Sequence, residues 1–521
     1  MKFRSAAVFL SMALTAFSEQ RNLGRIEFPT SGSKEAQVHF IQGVLLLHSF
    51  EYDDSREEFQ QASKIEPGFA MAYWGEALTY THPVWVQQDL QGGRAALMRL
   101  APTRDARLAK ALTEREKDYL RAVEILYGDG DKIARDIAYA EAMDAVRKKY
   151  PDDLEAASLY AVALLGTCQY RRDFAVYMRA AAVAEEVFAK NPEHPGAIHY
   201  LIHAYDDPIH APLGLRLARI YGKVAGSASH AQHMPAHIFF AMGMWDDAIS
   251  ANGKSSSVAD DRVKLKGLDP DQRNYHSLLW LEYALLQEGR YAEAHRVLED
   301  LANSALQTRS ARALSHLGLA RAAYAVETGG PDKLTGQVDL AKGGVEVRTA
   351  FETTRGLNLV RSGRVDEARK TYADAAKLVV PGHDDAGAGL HANMPMAGAS
   401  APAGKAPEIM VQQLQAALLF ADGKQEEALR LLAKTTEEED AMTFEFGPPM
   451  PVKPAHELYG EMLLQAGRAR EAREQFTRAL ARAPRRTLSM RGLAKADAES
   501  GDTASANRVS ADLKTFWRGN Q

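Results

Sequence analysis

The chain has 521 residues, of which 25% are charged and 46% hydrophobic, and its formal net charge is -5. This length exceeds what one ordinary globular core supports, so it predicts several domains or a repeat array. The small net charge supplies neither the basic footprint of a nucleic-acid-binding protein nor a polybasic patch for anionic membranes. We therefore expect no nucleic-acid partner.

The N-terminal segment has the features of a secretory signal peptide. Lys2 and Arg4 precede a short apolar stretch, and Ala16 and Ser18 suit the two small-residue positions of a cleavage site. A membrane anchor is the alternative, but about 12 apolar residues fall short of the ~20 that a spanning helix needs. We predict that residues 1–18 are removed, that the protein is exported to the periplasm or the extracellular space, and that no later segment spans a membrane.

Self-similarity along the chain determines the predicted fold. The stretch from Met462 to Pro484 matches the tetratricopeptide (TPR) pattern of small residues, an aromatic residue and a helix-ending proline, at Gly467, Ala472, Phe476, Ala479 and Pro484. The same frame recurs along the chain, for example at Gly289 with Ala294 and at Gly243 with Ala248. We predict an all-α, superhelical TPR solenoid of about eleven or twelve helical hairpins.

Two repeat arrays are predicted, joined by an irregular segment. The arrays are expected over residues 34–380 and 409–521, and the segment 381–408 is rich in glycine, alanine and proline. That composition is typical of a flexible loop or linker. Two readings of this segment remain open, a linker between the arrays and a lid over the groove.

Histidines repeat with the period of the fold. Seven of the 16 histidines lie between His194 and His237, and His199 and His203 precede His233 and His237 by 34 residues. This separation is the TPR period, so equivalent faces of successive first helices carry the two pairs. That face lines the concave groove of a TPR solenoid. We predict a groove lined by His199, His203, His230, His233, His237 and His276.

These imidazoles predict a transition-metal site. Neutral imidazole is the commonest nitrogen ligand, and a histidine pair at i and i+4 on a helix is a frequent chelate. Neighbouring first helices pack about 8–10 Å apart, so rings from equivalent positions are able to converge on one ion. Six imidazoles would suit a coupled copper pair, whereas added carboxylates favour iron or zinc. Binding of an acidic peptide or a phosphate, or a hydrogen-bonded groove without a ligand, are the alternatives.

Three acidic residues are candidates for a catalytic role. Asp206 would serve as an oxygen ligand or fix a histidine tautomer. Glu457 and Glu461 would face the same groove from across the superhelix, as a general base or a further ligand. The metal would support a hydrolase or an oxidase, and the sequence does not decide whether the protein is an enzyme. The small molecule or peptide in the groove is not identified. A peptide-binding scaffold without chemistry and a metal carrier are the other interpretations.

Pro235 affects the placement of two of these histidines. Proline inside a helix removes a hydrogen bond and clashes with the preceding turn, so we expect the helix to begin near Pro235. His230 and His233 would then lie on the turn before it.

Three segments resemble a known group of proteins. FAMAYWGEALTYTHPVW, HPGAIHYLIHAYDDP and SHAQHMPAHIFFAMGMWDDA are similar to those of exported bacterial TPR proteins that share H-Y-x-x-H and H-M-P-x-H elements. The resemblance runs from about residue 36 to the C-terminus. It implies the TPR fold but no reaction, because most members of that group have no assigned function.

Overall fold

The structure is a computed structural model that describes residues 21–168, 171–330, 340–379, 405–443 and 447–519. The predicted signal peptide and most of the predicted linker lie outside the described residues. Where the description resumes after that linker, a helix begins at Ala406, so residues 406–408 of the predicted linker are helical.

The first half of the chain is a series of antiparallel helices in which sequential helices pack against each other. These helices are α1 (Lys34–His48), α2 (Tyr52–Ile65), α3 (Ala70–Leu78), α4 (Leu90–Leu100), α5 (Arg104–Leu108), α6 (Glu114–Leu126), α7 (Lys132–Lys149), α8 (Leu154–Gly166), α9 (Phe174–Lys190), α10 (Pro195–Tyr205), α11 (Ala211–Val224), α12 (Ser229–His233) and α13 (Pro235–Met242). Between α3 and α4, a two-stranded antiparallel hairpin pairs β1 (Thr81–His82) with β2 (Gln87–Gln88).

The second half continues the same arrangement to the C-terminus. Its helices are α14 (Trp245–Lys266), α15 (Tyr275–Gln287), α16 (Tyr291–Thr308), α17 (Ala311–Thr328), α18 (Val345–Arg361), α19 (Val365–Leu378), α20 (Ala406–Ala421), α21 (Gln425–Asp440), α22 (Ala455–Gln465), α23 (Ala469–Arg482), α24 (Thr487–Glu499) and α25 (Thr503–Phe516). The predicted all-α TPR solenoid is confirmed. No helix among the described residues is long and apolar enough to cross a membrane.

One packing arrangement recurs near the two ends of the solenoid and explains the small residues of the repeat. The Phe59 ring fills the space where Cβ atoms would stand on Gly43 and Gly75, with ring atoms 2.8 and 2.3 Å from those positions. The Phe476 ring fills the corresponding spaces beside Gly460 and Gly492, with ring atoms 2.8 and 2.2 Å from where the Cβ atoms would stand. In both places an aromatic ring from the second helix of a repeat lies between the first helix of that repeat and the first helix of the next. Glycine at the contact points has no Cβ atom, so the ring and the two helices can approach this closely.

The superhelix curls until both ends contact its middle. From the N-terminal end, Asp54 on α2 accepts hydrogen bonds from Arg262 and Lys266 on α14, each at 2.9 Å. From the C-terminal end, the Trp245 indole donates to the carbonyl of Arg485 at 3.1 Å. The inner surface around α10 to α15 is therefore covered by protein, and it is here that the predicted histidines lie.

Candidate metal centre

The six predicted histidines lie together as two neighbouring triads. We call His199, His203 and His230 the first triad, and His233, His237 and His276 the second triad. Within each triad, three ligand atoms lie within 4.8 Å of one another. The triads adjoin, because the ring centroids of His203 and His237 are 5.3 Å apart.

Each triad combines two buried imidazoles with one that is partly exposed. His199 and His203 project from α10, and His233 and His237 from α12 and α13, where repeat spacing places them on equivalent faces. His230 and His276 complete the triads from the starts of their helices. The helix start expected near Pro235 is confirmed, because α13 begins there, but His230 and His233 lie on the short helix α12 and not on a turn.

Hydrogen bonds fix the orientation of both buried rings in the second triad. His233 Nδ1 lies 2.7 Å from Asn252 Oδ1, and the Asn252 amide nitrogen donates to the Ala248 carbonyl, so Nδ1 is the donor. His237 Nδ1 donates to Asp206 Oδ2 at 2.9 Å. With Nδ1 protonated in both neutral rings, each Nε2 carries a lone pair. These two Nε2 atoms face each other at 3.1 Å.

A hydrogen bond also fixes the orientation of one buried ring in the first triad. His199 Nδ1 donates to the carbonyl oxygen of His48 at 2.6 Å, so its Nε2 carries the lone pair. That Nε2 lies 3.2 Å from Nε2 of His230. In the first triad the hydrogen bonds therefore fix the lone pair of His199, whereas in the second triad they fix both facing nitrogens.

Burial disfavours the protonated form of four of these rings. It lowers the pKa of His199, His230 and His233 well below the ordinary value, and neighbouring imidazoles lower it further. Burial also lowers the pKa of His237 to about 4, although the hydrogen bond to Asp206 offsets part of the effect. Because a proton is disfavoured here at pH 7, the facing Nε2 atoms of His233 and His237 are both neutral acceptors.

Asp206 orients the cluster from behind the rings. Besides His237, its Oδ2 lies 3.4 Å from Nδ1 of His203, and its Oδ1 accepts a hydrogen bond from the buried Arg172 at 2.6 Å. Burial opposes ionisation of this carboxyl, but Arg172 and the two imidazoles outweigh it and hold the pKa of Asp206 below its usual range. Asp206 also forms a group of possible metal ligands with His203 and His237, but its hydrogen bond from His237 Nδ1 favours the predicted role of fixing a histidine tautomer.

Replacing Asp206 with asparagine is expected to weaken metal binding by about 10- to 100-fold, the usual cost of losing an outer partner of a metal-ligating histidine. An amide nitrogen turned toward His237 would favour the tautomer whose Nδ1 carries the lone pair. Isothermal titration with the metal measures the change. The Asp207→Asn variant is the matched control, since Asp207 contacts His210 and Arg172 but none of the six histidines. Equal affinities for both variants would contradict this role.

Aromatic rings enclose the triads. Phe50 packs against the first triad, with its centroid 4.2 Å from that of His199 and 5.6 Å from that of His230. Trp280 stacks on His237 at 4.8 Å and meets His233 edge-on at 4.7 Å. Such walls restrict ring movement and lower the local polarity.

The other predicted acidic residues belong to a different set of contacts. Glu457 is buried and ion-paired with Arg486 at 2.8 Å and with Lys453 at 2.9 Å. Glu461 pairs with the same lysine at 2.6 Å. Arg486 and Lys453 therefore hold the two carboxylates. Among the described residues, neither glutamate is part of a group of possible metal ligands that contains any of the six histidines.

A third cluster lies behind the first triad. Glu155 bridges two buried histidines, with 2.7 Å to Nε2 of His48 and 3.1 Å to Nε2 of His194. The remaining ring nitrogens are occupied as well, by the Tyr200 hydroxyl on His48 and by the Ala197 amide on His194. This cluster is a completed hydrogen-bond network, and it positions the His48 carbonyl that orients His199.

Several supporting residues were not predicted from the sequence. Trp280 follows His276 by four residues on the same helix face, so repeat spacing was a usable signal for it. Phe50, Arg172 and Asn252 gave no such signal, since they reach the site from other helices or from connecting segments.

Comparisons with known proteins show general likeness only. No family model and no curated protein matches the chain. The chain is similar to yeast Tom70, with 14% identity over 92% of this chain and 99% of that chain and a TM-score of 0.33. It is also similar to the TPR domain of P58(IPK), with 14% identity, 89% and 98% coverage and a TM-score of 0.24. It is similar as well to a Rap protein complexed with competence and sporulation factor, with 12% identity over 85% of this chain and 100% of that chain and a TM-score of 0.35. Likeness at this level says nothing about the site.

Proposed function

We propose that this protein binds transition-metal ions in its two histidine triads, one ion in each, and that the metal pair is its functional centre. The facing pair of Nε2 lone pairs on His233 and His237 carries the proposal, because two neutral acceptors at 3.1 Å repel unless a cation lies between them.

The spacing of the donor atoms fits a metal. Two nitrogens bound to one zinc ion at about 2.0–2.1 Å in tetrahedral geometry are about 3.3 Å apart. The two facing pairs are 3.1 and 3.2 Å apart, close to that separation. All six donors are imidazole, which suits copper, zinc or iron. The ligand set is uncharged, and Asp206 is already neutralised by Arg172. Burying an ion of low charge at this site therefore costs less free energy than burying an ion of higher charge. Among the three metals, this favours copper in its monovalent form.

A metal pair with three protein ligands per ion would supply Lewis-acid or redox chemistry to a small molecule. The contributions of the chain itself are clear from its contacts. Asp206 and Asn252 keep the second-triad lone pairs on Nε2, His48 does so for His199, and the aromatic walls limit water around the rings. These features support an oxidase or a hydrolase over a simple carrier, because each triad leaves coordination positions for a further ligand.

Reconstitution with defined metals tests the proposal. The purified protein would be stripped with a chelator, loaded separately with copper(I), zinc or iron(II), and dialysed before elemental analysis. We expect two ions per chain to be retained for at least one metal, and copper(I) to be retained most strongly. Loss of all three metals on dialysis would exclude the metal function.

Two further parts of the proposal concern setting and partners. We propose that the protein is exported and belongs with the bacterial TPR proteins that it resembles. N-terminal sequencing of protein recovered from the native compartment tests the export, because it shows whether the signal peptide has been removed. The TPR fold also supports a second candidate, a peptide-binding scaffold. If that were the function, a bound peptide would need the histidine-lined surface, four of whose six imidazoles are buried.

A further inference from the structure

A cavity of about 50 Å³ lies beside the first triad. Its lining is mostly aliphatic and comes from several helices, with Leu47, Leu78, Leu126, Leu159, Val162 and Ala163 among the lining residues. Among the described lining residues, Asp136 carries a charge, and its carboxylate is ion-paired with Lys132 at 2.5 Å. The space therefore presents an apolar surface without an uncompensated charge.

One polar atom in this lining calls for a partner. Tyr52 lines the cavity and is 3% exposed, and among the described residues its buried hydroxyl has no hydrogen-bond partner. A buried hydroxyl without a partner is costly, on the order of 1–3 kcal/mol.

Phe50 joins the cavity to the metal centre. Its ring lines the cavity, stacks on Tyr52 at 5.3 Å and packs on His199 at 4.2 Å. A molecule in the cavity would thus lie one aromatic ring away from the first triad. Tyr200, which also lines the cavity, packs on His199 at 5.6 Å.

We propose that this cavity binds a compact, uncharged molecule of up to about four non-hydrogen atoms, carrying one atom that accepts a hydrogen bond from Tyr52. The size follows from the volume, since one water needs roughly 10–15 Å³ and benzene binds in a cavity of about 150 Å³. Its role as the small-molecule partner of the metal pair rests on the proposed metal function, but the binding itself does not.

Xenon and acetonitrile are the probes that test the proposal. Xenon NMR would measure xenon binding, and displacement of xenon would report the affinity for acetonitrile, which is small, neutral and an acceptor. Ala163→Val adds two methyl groups to the lining and is expected to lower xenon affinity more than tenfold. Ala157→Val, the same change on the same helix but outside the lining, should leave xenon affinity unchanged.

The hydroxyl and the charge are tested separately. Tyr52→Phe keeps the ring and is expected to weaken acetonitrile binding by about two- to tenfold, the worth of one neutral hydrogen bond, without changing xenon affinity. Acetate, which is similar in size but charged, should displace no xenon. Xenon binding that ignores Ala163→Val, or acetonitrile binding that ignores Tyr52→Phe, would overturn the inference. Metal content is measured on every variant, so failure of the cavity and failure of the metal function are distinguishable.

Discussion

Replacing His233 with alanine is expected to remove the ion of the second triad and to leave that of the first, so that metal content falls from two ions per chain to one. The loss of affinity should exceed the roughly 10- to 100-fold that removal of an outer partner costs, because a direct ligand is lost. His199→Ala is the counterpart for the first triad, and the double variant should retain neither ion. Elemental analysis after dialysis measures all three.

His39→Ala is the matched control for these variants. His39 is also a helix histidine with a carboxylate partner, Glu58, at 2.7 Å, but its side chain is 37% exposed and it lies outside both triads. The control should keep two ions. Far-ultraviolet circular dichroism should show the same helix content for every variant. Full metal content in His233→Ala and His199→Ala, with the fold intact, would contradict the assignment of these ligands.

Metal binding is also expected to stabilise the folded protein against unfolding. An ion that binds only the folded state at a free concentration of 1,000 times its dissociation constant adds about 4.1 kcal/mol. The facing Nε2 lone pairs of His233 and His237 repel each other, and a bound cation would remove that repulsion.

The sequence predicted the parts of this site that follow from the repeat period. The 34-residue separation of the two histidine pairs placed His199, His203, His233 and His237 on equivalent faces, because each TPR hairpin repeats the geometry of the one before it. Pro235 predicted the helix break for a local steric reason. Both inferences needed only short-range geometry.

The remaining features depend on contacts between distant parts of the chain. The sequence predicted a concave groove lined by the histidines, and it gave no indication that four of the six imidazoles are buried. Arg172 reaches Asp206 from the segment before α9, and Phe50 reaches His199 from the turn after α1. No local pattern encodes such an approach. For the same reason, the pairing of Glu457 with Arg486 could not be read from the position of Glu457 in its repeat.

Arg486 provides the second large expected effect. Its side chain is fully buried and pairs with Glu457 of α22 at 2.8 Å. It also links the C-terminal helices to the middle of the solenoid, through Glu327 at 2.6 Å and the Tyr283 hydroxyl. Arg486→Met fills a similar volume without charge, removes the paired cation of Glu327 and leaves Glu457 with Lys453 alone. We expect a loss of about 3–5 kcal/mol in the free energy of unfolding, measured by urea denaturation.

The matched control is Arg468→Met, which breaks an ion pair of the same chemistry on the surface. Arg468 immediately precedes α23 and Glu471 lies in its first turn, and their side chains are 35% and 49% exposed. Solvent screening leaves such pairs worth about 0–1 kcal/mol, so the control should unfold close to the parent midpoint. Arg486 joins the C-terminal helices to α15, the helix that carries His276 and Trp280. Its loss should therefore lower metal retention in the second triad more than in the first. Equal midpoints for the two arginine variants would show that the buried cluster contributes no more than a surface pair.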